Sequence, residues 1–324
     1  MNLPAGLLKE LHGAPPLPGE RVLSLIDLGT NSIRLDLVAV KGRSARRLHR
    51  EKRMVRLGDD LYATGHLSHA ALARVGEALA LFHRLHEAAG VTQISAVATA
   101  AMRTAPDAAT LVEEWKERYR IPFRVISGEE EAALIAKGVM AEEHVPSGGY
   151  GLVDIGGGST EISLCQDRRV LESFSLPLGA NRLAQELLKS VPPVKGGVEA
   201  LRARVRESLA PLRGQHRWPS LRELIGSGGS VRAIRRLAKA AGAKDQPFTS
   251  RYLSDLCAQI ERLDRVGLLH LPGMDDKRVD LILPGALILD EVCQALGVQK
   301  VRSTEASLRD GLLAEALQSS APRS

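Results

Sequence analysis

The sequence predicts an α/β protein made of two similar domains, and three observations carry that expectation. Apolar strand-like runs alternate with amphipathic helical stretches along most of the chain, the pattern of sheets covered by helices. A turn of the form Asp-x-Gly-x-x-Ser, set between two apolar runs, is written twice, at Asp27–Ser32 and at Asp154–Ser159. The 324 residues suffice for two cores of ordinary domain size.

Taken in order, the elements read as follows. Residues 22–40 form a hairpin around Asp27. Lys41 to Arg56 is basic and reads as an exposed strand pair, broken by Leu57-Gly58. Ser68 caps a helix from His69 to Ala89, which Gly90 ends. Ile94 to Thr99 is a buried strand, Pro106-Asp107 opens a helix through Tyr119, and Phe123 to Ile126 is a strand. Ser127 and Glu130 have capping-box spacing at the head of the next helix. The theme then repeats. The Asp154 hairpin leads to a helix through Arg182 and Leu188, a Pro192-Pro193 loop, and a basic helix to Leu212. Leu221 to Ile225 is a strand that delivers a third glycine turn, Gly226 to Ser230, to a helix over Val231–Ala241. Pro284-Gly285 precedes an apolar helix ended by Gly297. Val298 to Ser303 is a strand, and a last helix lies near Leu308–Leu317.

Both repeated turns suit an anion. Gly29 and the Gly156, Gly157, Gly158 run let main-chain amides approach an oxygen closely. Thr30, Asn31 and Ser32 line the first turn, and Ser159 adds a hydroxyl to the second. Ionised Asp27 and Asp154 accept but cannot donate, so beside a phosphate they are expected to hold a cation such as Mg²⁺, with Glu161 in reach of the metal or a water. An ordinary tight hairpin is the bland account of one such turn. Two copies with the same offsets make it the lesser one. Neither turn is a Walker A loop or a dinucleotide fingerprint.

Composition agrees. Aromatic residues are 3% of the chain, which argues against nucleic-acid binding by base stacking. A net charge of +6 favours an acidic partner. Cys165, Cys257 and Cys293 stand apart in sequence, which argues against a disulfide framework and fits a reducing cytoplasm. No membrane segment or secretion signal is visible, and the proline-bearing first twenty residues read as a loose arm.

Glu131 stands out on physics alone. At about 100° per residue, Leu134, Ile135, Gly138 and Val139 fall within about 80° of it, so its carboxylate lies on the apolar stripe. A desolvated carboxylate there is a candidate general base, with a hydrogen-bonded buried acid as the structural alternative. Glu129 and Glu130 are read as complements to the helix dipole. Arg103, just past a strand end, offers a fork to phosphate. Gly228 and Gly229 place a glycine loop at a helix N-terminus, where anions bind. Arg232, Arg235, Arg236 and Lys239 share one side of the following helix as a polyanion track or as solvated surface. The histidines make no metal signature and receive no role.

Several motifs in one order resemble a known family. They are Asp27 to Ser32; Leu57-Gly58 with Thr64-Gly65; Val97 to Arg103; Ile126 to Glu131; Asp154 to Glu161; Leu178-Gly179 with Arg182-Leu183; Gly226 to Gly229; and Leu308-Arg309-Asp310-Gly311. Together they resemble the short, two-domain form of the exopolyphosphatase/guanosine pentaphosphate phosphatase (Ppx/GppA) family, a branch of the actin-like, Hsp70 and sugar-kinase superfamily. The resemblance implies duplicated ribonuclease H-like domains flanking a cleft, with residues 1–127 as the first and 128–324 as the second. It leaves the option that the final helix, near 306–324, packs back on the first. It implies a Mg²⁺-aided hydrolase acting on inorganic polyphosphate, with Glu131 as catalytic base and Arg103 as the family's arginine, and it suggests a homodimer. The rivals are cleavage of guanosine pentaphosphate (pppGpp), an ATP-binding kinase-like or assembly protein, and a silent alarmone binder.

Overall fold

The computed structural model describes residues 15–213, 220–243 and 247–319, so the expected N-terminal arm lies largely outside the described residues. The chain forms two compact units: residues up to Ser127 with those from Leu308 onward, and Gly128–Ser307.

The first unit holds a five-stranded sheet in the order β3-β2-β1-β4-β5. Its strands are β1 (Arg21–Leu28), β2 (Ser32–Lys41), β3 (Ser44–Met54), β4 (Gln93–Ala98) and β5 (Phe123–Val125). β1, β2 and β3 pair antiparallel; β4 and β5 join in parallel. The helices are α1 (Leu61–Thr64), α2 (His69–Ala89), α3 (Ala100–Thr104) and α4 (Ala108–Tyr119). Ser68 accepts from the Ala71 amide at the start of α2, and Gly90 closes it in the left-handed conformation. Val75, Leu79 and Phe82 of α2 pack with Ile26, Leu35 and Leu37 of the sheet. The basic stretch after Lys41 is one strand rather than a pair. Gly42, with φ near 60°, turns the chain so that β3 takes β2 as its partner.

The second unit repeats the plan with one strand added, in the order β10-β11-β9-β6-β7-β8. Its strands are β6 (Gly149–Ile155), β7 (Thr160–Gln166), β8 (Arg169–Leu176), β9 (Leu221–Ser227), β10 (Phe248–Thr249) and β11 (Lys300–Ser303). Again three strands form an antiparallel meander and the next two join in parallel. Its helices are α5 (Gly128–Glu142), α6 (Ala180–Leu183), α7 (Gly197–Ser208), α8 (Ala210–Arg213), α9 (Gly228–Ala240), α10 (Ser250–Ile260), α11 (Arg265–Leu269) and α12 (Val279–Leu296). A final helix, α13 (Leu308–Ser319), belongs to the first unit and lies against β1.

Two boundaries differ from the sequence reading. α12 starts at Val279 and carries Pro284 inside it. The proline forfeits one backbone hydrogen bond, but Val279, Ile282, Leu283 and the run to Cys293 are buried on almost every side, and that packing outweighs the loss. β9 runs to Ser227 and α9 begins at Gly228, so the five-residue turn collapses to one left-handed glycine with φ near 85°. The pairing of Gly226 and Ser227 with β6, and of Gly226 with β11, carries the strand through.

Candidate phosphate site

In the second unit, strand register builds the site. Asp154 on β6 stands opposite Glu161 on β7, Glu161 opposite Ser175 on β8, and Ser227 on β9 beside Asp154. Residues opposed in this way share one face, giving a row Ser227–Asp154–Glu161–Ser175 across four strands. Ser227 Oγ donates to Asp154, and Ser175 Oγ donates to Glu161 Oε1 at 2.8 Å. Ser159 also hydrogen-bonds Glu161. Glu161 is therefore interior, on a strand flanked on both sides, and only 3% exposed.

α5 lies against β7 and β8 and brings Glu131 to this row. A side chain at Gly128 would collide with Ser175, so glycine at the first helical position is what lets the helix start settle there. Glu131 is 8% exposed, as the helical periodicity predicts. Burial, then the charges of Glu131 and Asp154, push the Glu161 carboxyl well above the usual carboxylate range. Two buried acids and half-buried Asp154 thus share one corner.

Beside them the second glycine turn is held open from behind. The Gly156 carbonyl accepts from the Ala180 amide, and the Gly157 carbonyl from the amides of Asn181 and Arg182, each at 3.0 Å. Gly179 makes this possible, since a Cβ there would run into the Gly157 carbonyl. The amides of Gly157 and Gly158 find no acceptor among the described residues. Such donors in a half-buried turn form an anion cup. Gly228 packs on Asp154, where a Cβ would lie 2.7 Å from Oδ1. Gly229 lies under the Arg278 guanidinium, whose basicity is depressed by burial and by Arg232 and Arg236. Arg278 is a residue that sequence reasoning missed. Arg232 and Arg235 lie within 3.7 and 4.0 Å of Glu305, and Arg236 within 3.4 Å of Asp275.

The first unit carries the other cup. The Asn31 carbonyl accepts from Val55 and Arg56, and the Thr30 carbonyl from Gly58, which ties Leu57-Gly58 to the turn. The Thr30 amide has no acceptor among the described residues, and Thr30 Oγ1 lies 3.3 Å from the Tyr62 hydroxyl. Ser32 is buried at the start of β2. Asp27 lies with one oxygen toward Gly29, 4.0 Å from where a Cβ would stand, and the other 3.5 Å from Arg309 Nη1. Arg103 sits in α3, its backbone amide bonded to Thr99 and Nη1 donating to the Ile126 carbonyl at 3.1 Å.

Among the described residues, no three His, Cys, Asp or Glu side chains form a ready metal cage. Asp154 and Glu161 still fit a hard divalent cation in their chemistry, being all oxygen and crowded by like charge. No helix among the described residues is long and apolar enough to cross a membrane.

The repeated sheet plan defines the class: a duplicated, ribonuclease H-like α/β protein. Residues 37–320 match the model of the Ppx/GppA phosphatase family, and the chain belongs to that family, whose members act as hydrolases on phosphoric anhydrides. Solved structures agree in fold. An exopolyphosphatase-like protein superposes with TM-score 0.83 at 24% identity, covering 92% of this chain and 98% of its own. An exopolyphosphatase from Cytophaga hutchinsonii gives 0.82 at 23%, with the same coverage. The Aquifex aeolicus Ppx/GppA family member gives 0.76 at 22%, covering 93% and 99%.

Proposed function

We propose that this chain is an exopolyphosphatase that releases terminal orthophosphate from linear polyphosphate. The observation that supports this most is the pairing, within one unit, of free Gly157 and Gly158 amides with buried Glu131 and Glu161 and half-buried Asp154. The amides hold equatorial oxygens of the terminal phosphoryl group. Glu131 orients a water and takes its proton as the water oxygen bonds to phosphorus. The bridging P–O bond breaks, and the shortened chain leaves. The first unit carries phosphate contacts of its own, Arg103 and the first cup. A divalent cation such as Mg²⁺, when held by Asp154 and Glu161, would offset phosphate charge. Phosphoryl transfer asks chiefly for positioning and electrostatics, which this inventory provides.

The test is phosphate release from size-defined polyphosphates without nucleotide, with and without Mg²⁺, run beside guanosine pentaphosphate. A higher kcat/KM on polyphosphate is expected. Faster cleavage of the nucleotide assigns the same chemistry to that substrate, and release that requires ATP overturns hydrolysis.

A further inference from the structure

Asp27 begins the first turn as Asp154 begins the second, yet its surroundings differ in sign. Arg34 stands opposite it on β2, where Glu161 stands opposite Asp154. From α13, Arg309 places Nη1 3.5 Å from Asp27 Oδ2 and Nε 3.3 Å from Asp36 Oδ1. The Arg309 side chain is 6% exposed and Asp36 2%. Asp36 already receives a two-pronged contact from Arg50, 3.1 Å to each oxygen, and Arg47 at 3.4 Å. Asp36 is therefore compensated without Arg309, while among the described residues Asp27 has its ion pair with Arg309 alone. Neither Arg309 Nε nor Nη1 makes a hydrogen bond among the described residues, so the contacts are charge pairs. A guanidinium buried at this distance offsets the carboxylate's charge and occupies the approach a cation would take.

We infer that Asp27 is a positioning carboxylate compensated by Arg309, not a metal ligand, so that the first cup grips phosphate without a divalent cation. This rests on the phosphate-binding reading of the cups. Without Arg309, the bare Asp27 charge would sit beside the amides of the turn and repel the phosphate they bind. With both charges gone, the repulsion goes too.

The experiment is calorimetric binding of a size-defined polyphosphate to the full chain in EDTA, with thermal melting of the same samples. Arg309→Met should weaken binding roughly tenfold or more and lower Tm by roughly 5–10 °C. Adding Asp27→Asn to it should bring affinity back to within about threefold of wild type and restore most of the melting loss. Arg309→Lys should retain most of both. An arginine that serves the fold alone predicts that Asp27→Asn restores melting but not affinity, and that outcome overturns the inference. If the wild type binds no polyphosphate, the proposed substrate fails, while Mn²⁺ binding read by electron paramagnetic resonance still decides the inference: affinity unchanged by Asp27→Asn supports it and a roughly tenfold loss overturns it.

Discussion

Seven residues past each turn's aspartate the two halves of the molecule diverge: Arg34 follows Asp27, and Glu161 follows Asp154. Both lie opposite their aspartate in an antiparallel pair of the same design. The backbone plan, the free amides and the Asp-x-Gly-x-x-Ser spacing are shared. What differs is charge. In the first unit, Arg34 stands opposite the aspartate on the neighbouring strand and the Arg309 guanidinium lies beside it. In the second, hydroxyls of Ser227, Ser159 and Ser175 hold carboxylates, and burial with the Glu131 and Asp154 charges raises Glu161. A duplicated glycine turn thus stands beside a guanidinium in one unit and beside three carboxylates in the other, and the proposed water and cation roles rest on that contrast. Symmetry of fold does not carry symmetry of chemistry.

The sharpest way to break this contrast is to disarm the acidic side. Glu131→Gln should lower kcat by roughly 10²–10⁴ with Tm nearly unchanged; a folded variant with normal turnover would remove Glu131 from the chemistry.

The two units should also answer pH differently. His86 of the first unit is buried, with Nε2 2.8 Å from Ser24 Oγ, and burial pushes its pKa down to about 4 from 6.5. The unfolded chain binds its proton first. His86 thus stabilises the fold above pH 6.5, and the contribution is lost as pH falls toward 4, on the order of 3 kcal/mol in all. Glu161 is raised instead, so its neutral form is the comfortable one in acid. Hydrogen exchange at pH 7 and pH 4.5 should show the first unit loosening sooner, and His86→Gln should flatten that response. Equal loosening of both units would contradict the assignment.

Metal affinity distinguishes the cups more gently. Asp154→Asn should weaken Mn²⁺ binding, read by electron paramagnetic resonance, by about 10–100-fold, while Asp27→Asn should leave it within about twofold. The smallest effect is on stability. In EDTA, Glu161→Gln should raise the melting temperature by a few degrees, on the order of 1 kcal/mol, because it removes a buried charge from beside two others. A fall would mean that the hydroxyl bonds to Glu161 outweigh the crowding.

Much of this was legible in the chain. The helix from His69 to Ala89 is delimited by Ser68 and Gly90, and it forms as read, because caps and periodicity are local signals. The place of Glu131 on the buried stripe of α5 is likewise a matter of helical spacing. The contrast of Arg34 with Glu161 was also present, at equal offsets from two matched turns, and aligning those turns would have exposed it. Pro284 misled because burial along α12 overrode a local preference, and Gly226 because strand pairing on both sides did the same.

By itself, then, the sequence determined the alternation of elements, the two glycine turns and the amphipathic face that carries Glu131, since each depends on residues a few positions apart. Only the tertiary structure decided that Arg309, from the far end of the chain, is the cation beside Asp27. It likewise placed Ser227 and Ser175 on the two acids of β6 and β7 and Arg278 above Gly229. Those pairings join residues on separate strands and helices, and electrostatics depends on distance through space, which no local pattern encodes.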